Sequence, residues 1–384
     1  MRLQSIKYTE WEGGPQEWTL EELSLRDINL LVGKNASGKT RILNLINALA
    51  QHLAGARPAS TSGDYDAQFE NDNPLRYHIK FDKKQVVEES FSVRNEKLLE
   101  RGQGGKGSIY AEQVDNGKMI PFQTPPEDIA AVVRRDAIQH TFLESLHIWG
   151  SSVRHYYFGS SLGKENLAVL TQNADNKLDM NTLNLIIFYL KAEKELGEQF
   201  KQSIMRDMGR VDYDIEEIGV QAPVSIRIEG NLPGSLVGLY VKEKDLAGIT
   251  DQLSMSQGMF RVFSILIHLN YFQMTKQPTC ILIDDIGEGL DFARSCLLID
   301  LLREKAKTSG VQLVLSTNDR FVMNRIPLEE WSVLQRCGST VRVLNYENSR
   351  DLFEEFKFTG LSNFSFLEMD FASGSPVEES ATSE

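Results

Sequence analysis

Hydrophobic and polar positions along the first 54 residues fall into distinct patterns. Residues 2–9 and 16–25 read as short strands, with EGGP (12–15) as the turn between them. Ile28 to Val32 is a compact apolar run, as expected of a buried strand. A glycine-rich loop follows. RILNLINALAQHLA (41–54) then places apolar residues at helical spacing. Residues 55–74 are rich in Ala, Ser, Gly, Asp and Asn and read as a loop. RYHIKF (76–81), QVVEESFSV (85–93) and SIYAEQV (108–114) are strand-like and separated by polar breaks, which predicts an antiparallel β subdomain.

Residues 126–147 read as helical, and 180–209 as containing one long amphipathic helix. Strands are expected at 216–229 and 236–243. From residue 256 helix and strand alternate to about 345, and ENSRDLFEEFKF (347–358) makes a last helix. The small and acidic residues after Phe371 predict a disordered tail over 372–384. The glycines of RGQGGKGS (101–108) follow polar residues rather than an apolar strand, so they read as a hairpin loop.

Composition narrows the class. The 384 residues are 41% hydrophobic and 25% charged, as in ordinary globular proteins. A net charge of -13 disfavours a surface that grips nucleic acid all over, though a local basic groove remains compatible with it. Cys280, Cys296 and Cys337 are scattered without metal or disulfide spacing, which fits a reducing cytoplasm. The N-terminal residues lack a signal-peptide pattern, and no apolar run reaches membrane-span length. No membrane partner is therefore expected.

The chemistry concentrates in two motifs. Gly33, Lys34, Asn35, Ala36, Ser37, Gly38, Lys39 and Thr40 match G-x-x-x-x-G-K-[ST] between a strand and a helix. Glycines let backbone N–H groups turn inward on phosphate oxygens. Lys39 supplies charge to the β- and γ-phosphates, and Thr40 offers a hydroxyl to Mg²⁺. The helix adds its positive end. Farther on, the apolar strand Cys280–Ile283 ends in Asp284 and Asp285, a Walker B pattern. Asp284 is assigned to Mg²⁺ and Asp285 to orienting the attacking water. The implied ligands are ATP and Mg²⁺.

With these in place, the chain resembles the ABC-type ATPases. Leu253-Ser254-Met255-Ser256-Gln257-Gly258-Met259-Phe260-Arg261 is similar to the family's signature motif in its OLD-like and RecF/SMC-like form. Gly287-Glu288-Gly289-Leu290-Asp291 resembles the D-loop, and Thr317-Asn318-Asp319 stands at the switch. The motifs follow the family's order over residues 28–320. The resemblance implies an α/β fold: a P-loop ABC-type ATPase head with a mixed sheet, an antiparallel β subdomain and a helical insertion. Residues 1–371 would form one head, with 55–210 as inserted β subdomain and helical lid. Ser256, Gln257 and Gly258 would meet the γ-phosphate of ATP held by a second subunit, with Asp291 nearby, in a head-to-tail homodimer.

The compact form, without a long coiled coil, is similar to stand-alone OLD-like ATPases of bacterial phage defence. That implies a separately encoded effector such as a nuclease or toxin. A RecF/SMC-like DNA-maintenance ATPase is the alternative, with DNA as the partner. Two positions depart from the family pattern: Asp285 stands where Glu is usual, and Asn318 where His is usual. Both predict slow hydrolysis, unless Glu288 or another acid compensates. Trp11, Trp18 and Tyr8 lie where such ATPases often stack an aromatic on adenine, but packing accounts for any one of them, so the contact stays unassigned. Arg134, Arg135 and Arg154 read as a solvated face, with a DNA-facing patch as the other reading. His268 reads as a core histidine.

Overall fold

All five residues of the apolar run Ile28–Val32 are buried, because helices cover both faces of the sheet that contains it. The computed structural model describes residues 1–114, 117–170, 184–226 and 234–371. The expected tail, 372–384, lies outside the described residues, as do 180–183 of the expected long helix and 227–229 of the expected strand.

The N-terminal half contains β1 (Arg2–Glu10), β2 (Trp18–Ser24), β3 (Ile28–Val32), α1 (Lys39–Leu53), β4 (Ser62–Glu70), β5 (Leu75–Asp82), β6 (Gln85–Val93), β7 (Glu96–Arg101), β8 (Lys106–Ala111) and β9 (Lys118–Gln123). Then come α2 (Ala130–Val133), α3 (Glu144–Ser152), β10 (Arg154–Tyr157), β11 (Ala168–Leu170), α4 (Leu185–Leu196), α5 (Glu198–Arg210), β12 (Ile215–Gln221), β13 (Ser235–Glu243) and β14 (Thr250–Asp251). The last third holds α6 (Gln257–Thr275), β15 (Thr279–Asp284), α7 (Phe292–Ser309), β16 (Val311–Ser316), α8 (Arg320–Arg325), β17 (Trp331–Cys337), β18 (Thr340–Asn345), α9 (Arg350–Phe358) and α10 (Ser365–Glu368).

A single 14-stranded sheet runs β10-β15-β16-β3-β17-β18-β2-β1-β4-β5-β6-β7-β8-β9. Its first five strands are parallel neighbours, and the stretch from β2 through β9 is antiparallel. The sheet is thus mixed, as the sequence predicts. Side chains of the parallel strands alternate between two cores. Leu30, Val32, Ile281, Ile283, Leu313 and Leu315 pack with α4 to α9, while Leu31, Leu282 and Val314 pack with α1 and α3. A smaller antiparallel sheet, β11-β13-β12 with β14 beside β13, sits in the first core.

Several local expectations need correction. Within the expected loop 55–74, β4 is a nine-residue strand pairing with β1 and β5. Gly63, Tyr65, Ala67 and Phe69 face inward, and the polar residues between them face outward. Arg76 binds Asp66 through two hydrogen bonds of 2.7 Å, and His78 meets Asp64 at 2.8 Å, so the acids are neutralised across the sheet. β7 and β9 also extend the sheet beyond the strands expected, and residues 102–105 form the hairpin connection between β7 and β8.

The expected helix over 126–147 breaks after α2. The Asp136 carboxylate accepts from the backbone N–H groups of Ile138 and Gln139 (2.6 and 2.8 Å), a local turn that competes with helix. The long helix within 180–209 is two helices, separated at Gly197, whose φ of 65° a residue with a Cβ adopts only at a cost. The helix expected over 347–358 is α9, but α10 follows it.

Candidate nucleotide site

Three adjacent parallel strands, β3, β16 and β15, end on one edge of the sheet, the usual place for a site in such folds. β3 delivers Gly33–Thr40, β15 ends at Asp284, and β16 ends at Ser316 just before Asn318. Three largely apolar strands that pair side by side thus bring the site together.

The phosphate loop curls through positive φ at Ala36 and Gly38 (61° and 108°). Gly38 caps α1 without a side-chain hydrogen bond, so the first N–H groups of the helix are left for an anion. Lys39 is 8% exposed, and its ammonium donates to the carbonyls of Gly33 (2.9 Å) and Lys34 (3.4 Å). Burial holds its pKa below the usual lysine range, opposed by the charges of Asp285 and Asp284.

Asp284 is fully buried, and Ser316 donates its hydroxyl to Oδ1. Oδ2 is buried with no hydrogen-bond partner among the described residues, which suits a carboxylate awaiting a cation or its water. The Ser316 hydroxyl oxygen also accepts from the Asp285 N–H (3.0 Å), so one serine fixes both acidic residues. Asp285 stands in the left-handed region at φ 55°, a conformation that costs about 1 kcal/mol or more in an acidic residue. Burial raises its carboxyl above the ordinary range. Asp284 and Glu288 add to this, and Lys39 opposes it.

A cavity of about 350 Å³ is lined by Asn35, Ala36, Ser37, Gly38, Lys39, Thr40, Asp285 and Asn318, together with Trp18, Arg41 and Arg336. Most of the expected phosphate and catalytic residues thus meet. Gly33 and Lys34 instead border a neighbouring cavity beside β17 and α10, where Lys34 pairs with Asp370 at 2.8 Å. Glu288 is exposed and does not line the 350 Å³ cavity.

Ser256, Gln257 and Gly258 also lie outside that cavity. They open α6, where the Ser256 hydroxyl oxygen accepts from the Met259 N–H at 3.1 Å. A Cβ on Gly258 would sit 2.5 Å from the Gly289 carbonyl oxygen, so only glycine lets α6 touch the loop before α7. Arg261 locks the same contact by donating to the Glu288 carbonyl. Asp291 caps α7, accepting from the Arg294 N–H (2.9 Å) and pairing with its guanidinium (2.8 Å).

Three further residues line the cavity. Trp18 is the one of the three N-terminal aromatics that reaches it. Arg41 directly follows Thr40, an adjacency that could have flagged it. Arg336 comes from β17, some 300 residues away, and donates to the Ala36 carbonyl at 3.3 Å; no sequence signal marks it. His268 is a core residue: it is fully buried, and its Nδ1 shares a 2.5 Å hydrogen bond with the Tyr156 hydroxyl. Arg154 is 1% exposed and packs over the Phe272 ring, which removes it from the solvated face expected of it.

No family model matches this chain, and neither does any curated protein. Solved structures do. An SMC head bound to the C-winged helix domain of ScpA aligns with a TM-score of 0.55 and 12% identity, over 91% of this chain and 100% of that one. An SMC head with an extended coiled coil from Pyrococcus furiosus, bound to the C-terminal domain of ScpA, gives 0.49 and 11%, over 93% and 99%. The SMC head domain from Thermotoga maritima gives 0.41 and 11%, over 90% and 99%. With the first of these likenesses and the strand order around the phosphate loop, the chain has the fold of a P-loop ABC-type ATPase head.

Proposed function

We propose that this protein binds ATP with Mg²⁺ and hydrolyses it slowly between two copies of the chain packed head to tail. One observation carries the reading. The phosphate loop, Asp285 and Asn318 share a cavity, whereas the Ser256 end of α6 stands outside it. A helix N-terminus with Ser and Gly is an anion site, and a phosphate presented by a second copy would complete it.

The geometry supports a role for each residue. The loop N–H groups and Lys39 hold the phosphates. Thr40 and Asp284 would hold Mg²⁺, which spreads the charge of the β- and γ-oxygens when bound. Asp285 orients the attacking water, and Asn318 positions Asp285 through a 3.4 Å hydrogen bond. An aspartate reaches roughly 1.5 Å less far than a glutamate, and a misplacement of about 1 Å can cost on the order of 100-fold in rate. Slow turnover suits a switch whose closed dimer is the working state.

Next to these loops, Phe292 and Phe321 expose 58% and 40% of their surfaces, with ring centroids 4.6 Å apart. They join the D-loop to the switch and offer apolar surface to a second copy. Beyond the dimer, we read the head as a scaffold for a separate effector in anti-phage defence. That setting rests on the OLD-like resemblance, and the charge of -13 suits a basic partner. The DNA-maintenance alternative is compatible with the fold, but it lacks a basic surface at the expected arginines. Arg135 is paired with Glu144 at 2.9 Å and Arg154 is buried, so the candidate basic patch is not assembled. No helix among the described residues is long and apolar enough to cross a membrane.

The test is the solution mass of the purified chain with and without ATP–Mg²⁺, with phosphate release measured alongside. ATP-dependent dimers with slow release, lost in Lys39→Ala, support the reading. A monomer under every condition with brisk hydrolysis sinks it.

A further inference from the structure

Resting on that nucleotide reading, we propose that the base of the bound nucleotide stacks on the guanidinium plane of Arg41, which is itself layered on Trp18. The aromatic ring does not receive the base directly.

Trp18 is the aromatic that lines the phosphate cavity, yet it is only 2% exposed. The Arg41 guanidinium carbon lies 4.4 Å above the Trp18 ring centroid and covers it. A Cβ on Gly38 would lie 3.2 Å from the same indole, so the phosphate loop also packs on it. The ring is a foundation, with no open face for a base.

Arg41 is the layer that remains accessible. Its side chain is 44% exposed, and Glu10 anchors it through an ion pair. A guanidinium held over an aromatic ring and anchored by a carboxylate is a π-surface that loses little freedom when a base stacks on it. Arg336 faces the same cavity, and its charge is close enough to oppose that of Arg41. The approach of two like charges is relieved by an anion between them, such as the phosphate nearest the sugar.

The cavity also sets the direction of the nucleotide. Asp285 is the single carboxylate among its lining residues, and the reacting end of the phosphate chain belongs beside it, Lys39 and Asn318. The wall of Trp18, Arg41 and Arg336 is then left for the sugar and base. Stacking on a guanidinium favours the larger purine rings and contributes little to telling adenine from guanine.

The experiment is calorimetric titration of the full chain and its Arg41→Lys variant. The ligands are the β,γ-methylene analogues of ATP and CTP, and inorganic tripolyphosphate, each with Mg²⁺. Lysine keeps the charge and removes the plane. We expect wild type to prefer the ATP analogue over the CTP analogue by about tenfold. In Arg41→Lys the two should fall within about twofold, because lysine keeps the charge that faces the phosphates and loses the plane that meets the base. A purine preference that survives Arg41→Lys overturns the proposal. Tripolyphosphate binding wild type as tightly as the ATP analogue also overturns it, and leaves the phosphate site standing. Failure of wild type to bind any of the three removes the nucleotide reading and this proposal together. If Arg41→Lys melts well below wild type, Glu10→Gln replaces it. That variant keeps the plane but frees it, and a preference undiminished there overturns the proposal as well.

Discussion

Asn318 donates its side-chain amide to the Asp285 carboxylate at 3.4 Å. The two positions that depart from the family pattern are therefore partners. A neutral amide holds a short carboxylate whose backbone already stands in the left-handed region. Glutamate at 285 would extend the carboxylate by one methylene toward the phosphates. Asp285→Glu is expected to raise phosphate release by about tenfold, and Asp285→Asn to lower it by about 100-fold while ATP still binds. Steady-state release and nucleotide titration check both. Wild-type turnover in Asp285→Asn would show that another acid orients the water.

The separation of Ser256 from the phosphate cavity gives a test of the two-copy site by mixing. Lys39→Ala spoils the phosphate loop of its own chain, and Ser256→Arg spoils the signature surface offered to the other chain. Each variant alone should release phosphate at less than about a tenth of the wild-type rate. Mixed in equal amounts, they form heterodimers with one intact composite site, and activity should return to roughly a quarter of wild type by random pairing. No recovery on mixing would place Ser256 and Lys39 in the same chain's site.

Phe292 and Phe321 carry exposed apolar surface on either side of the same loops. Burying both against a second copy contributes on the order of 2 kcal/mol. The Phe292→Ser, Phe321→Ser double variant should weaken the ATP-dependent dimer by roughly 30-fold in a light-scattering titration. Stability of the separate chain should move by about 1 kcal/mol or less, because the two rings are partly exposed and pack on each other. Unchanged dimerisation would take the aromatic pair out of the interface.

The parallel core was legible because three largely apolar runs, Ile28–Val32, Cys280–Ile283 and Val311–Leu315, read as strands of a sheet buried on both faces, and their two polar residues, Asn29 and Gln312, donate to backbone carbonyls. β4 was not, because its outward positions are Ser, Asp, Asp, Gln and Glu, and half its inward positions are Gly and Ala. The pairing that makes those acids tolerable comes from Arg76 and His78 on the next strand, beyond any local window. The site divides in the same way. Residues within one motif were found from spacing, whereas Arg336 arrives through tertiary packing of β17 beside β3. Gly33 and Lys34 belong to the motif, but they form the loop's other wall.

His52 sets a pH limit on the fold. It is fully buried on α1, and burial lowers its pKa from 6.5 to about 4. Its Nδ1 donates to the Arg57 carbonyl (3.2 Å), so in the neutral ring Nε2 accepts from the Ser60 hydroxyl (3.0 Å). The unfolded chain takes up a proton near pH 6.5, and the folded chain resists it until about pH 4. The unfolded state thus binds more protons across that window, so stability rises with pH through it. The contribution is complete above pH 6.5 and is lost as pH falls toward 4, roughly 3 kcal/mol in all. His268, also buried and lowered, acts in the same direction. Urea unfolding at a series of pH values between 4 and 7.5 checks the sign. His52→Gln, which keeps a donor and an acceptor without the titration, should flatten part of the slope. A slope the same in His52→Gln as in wild type would assign the acid sensitivity to His268 or to carboxylates instead.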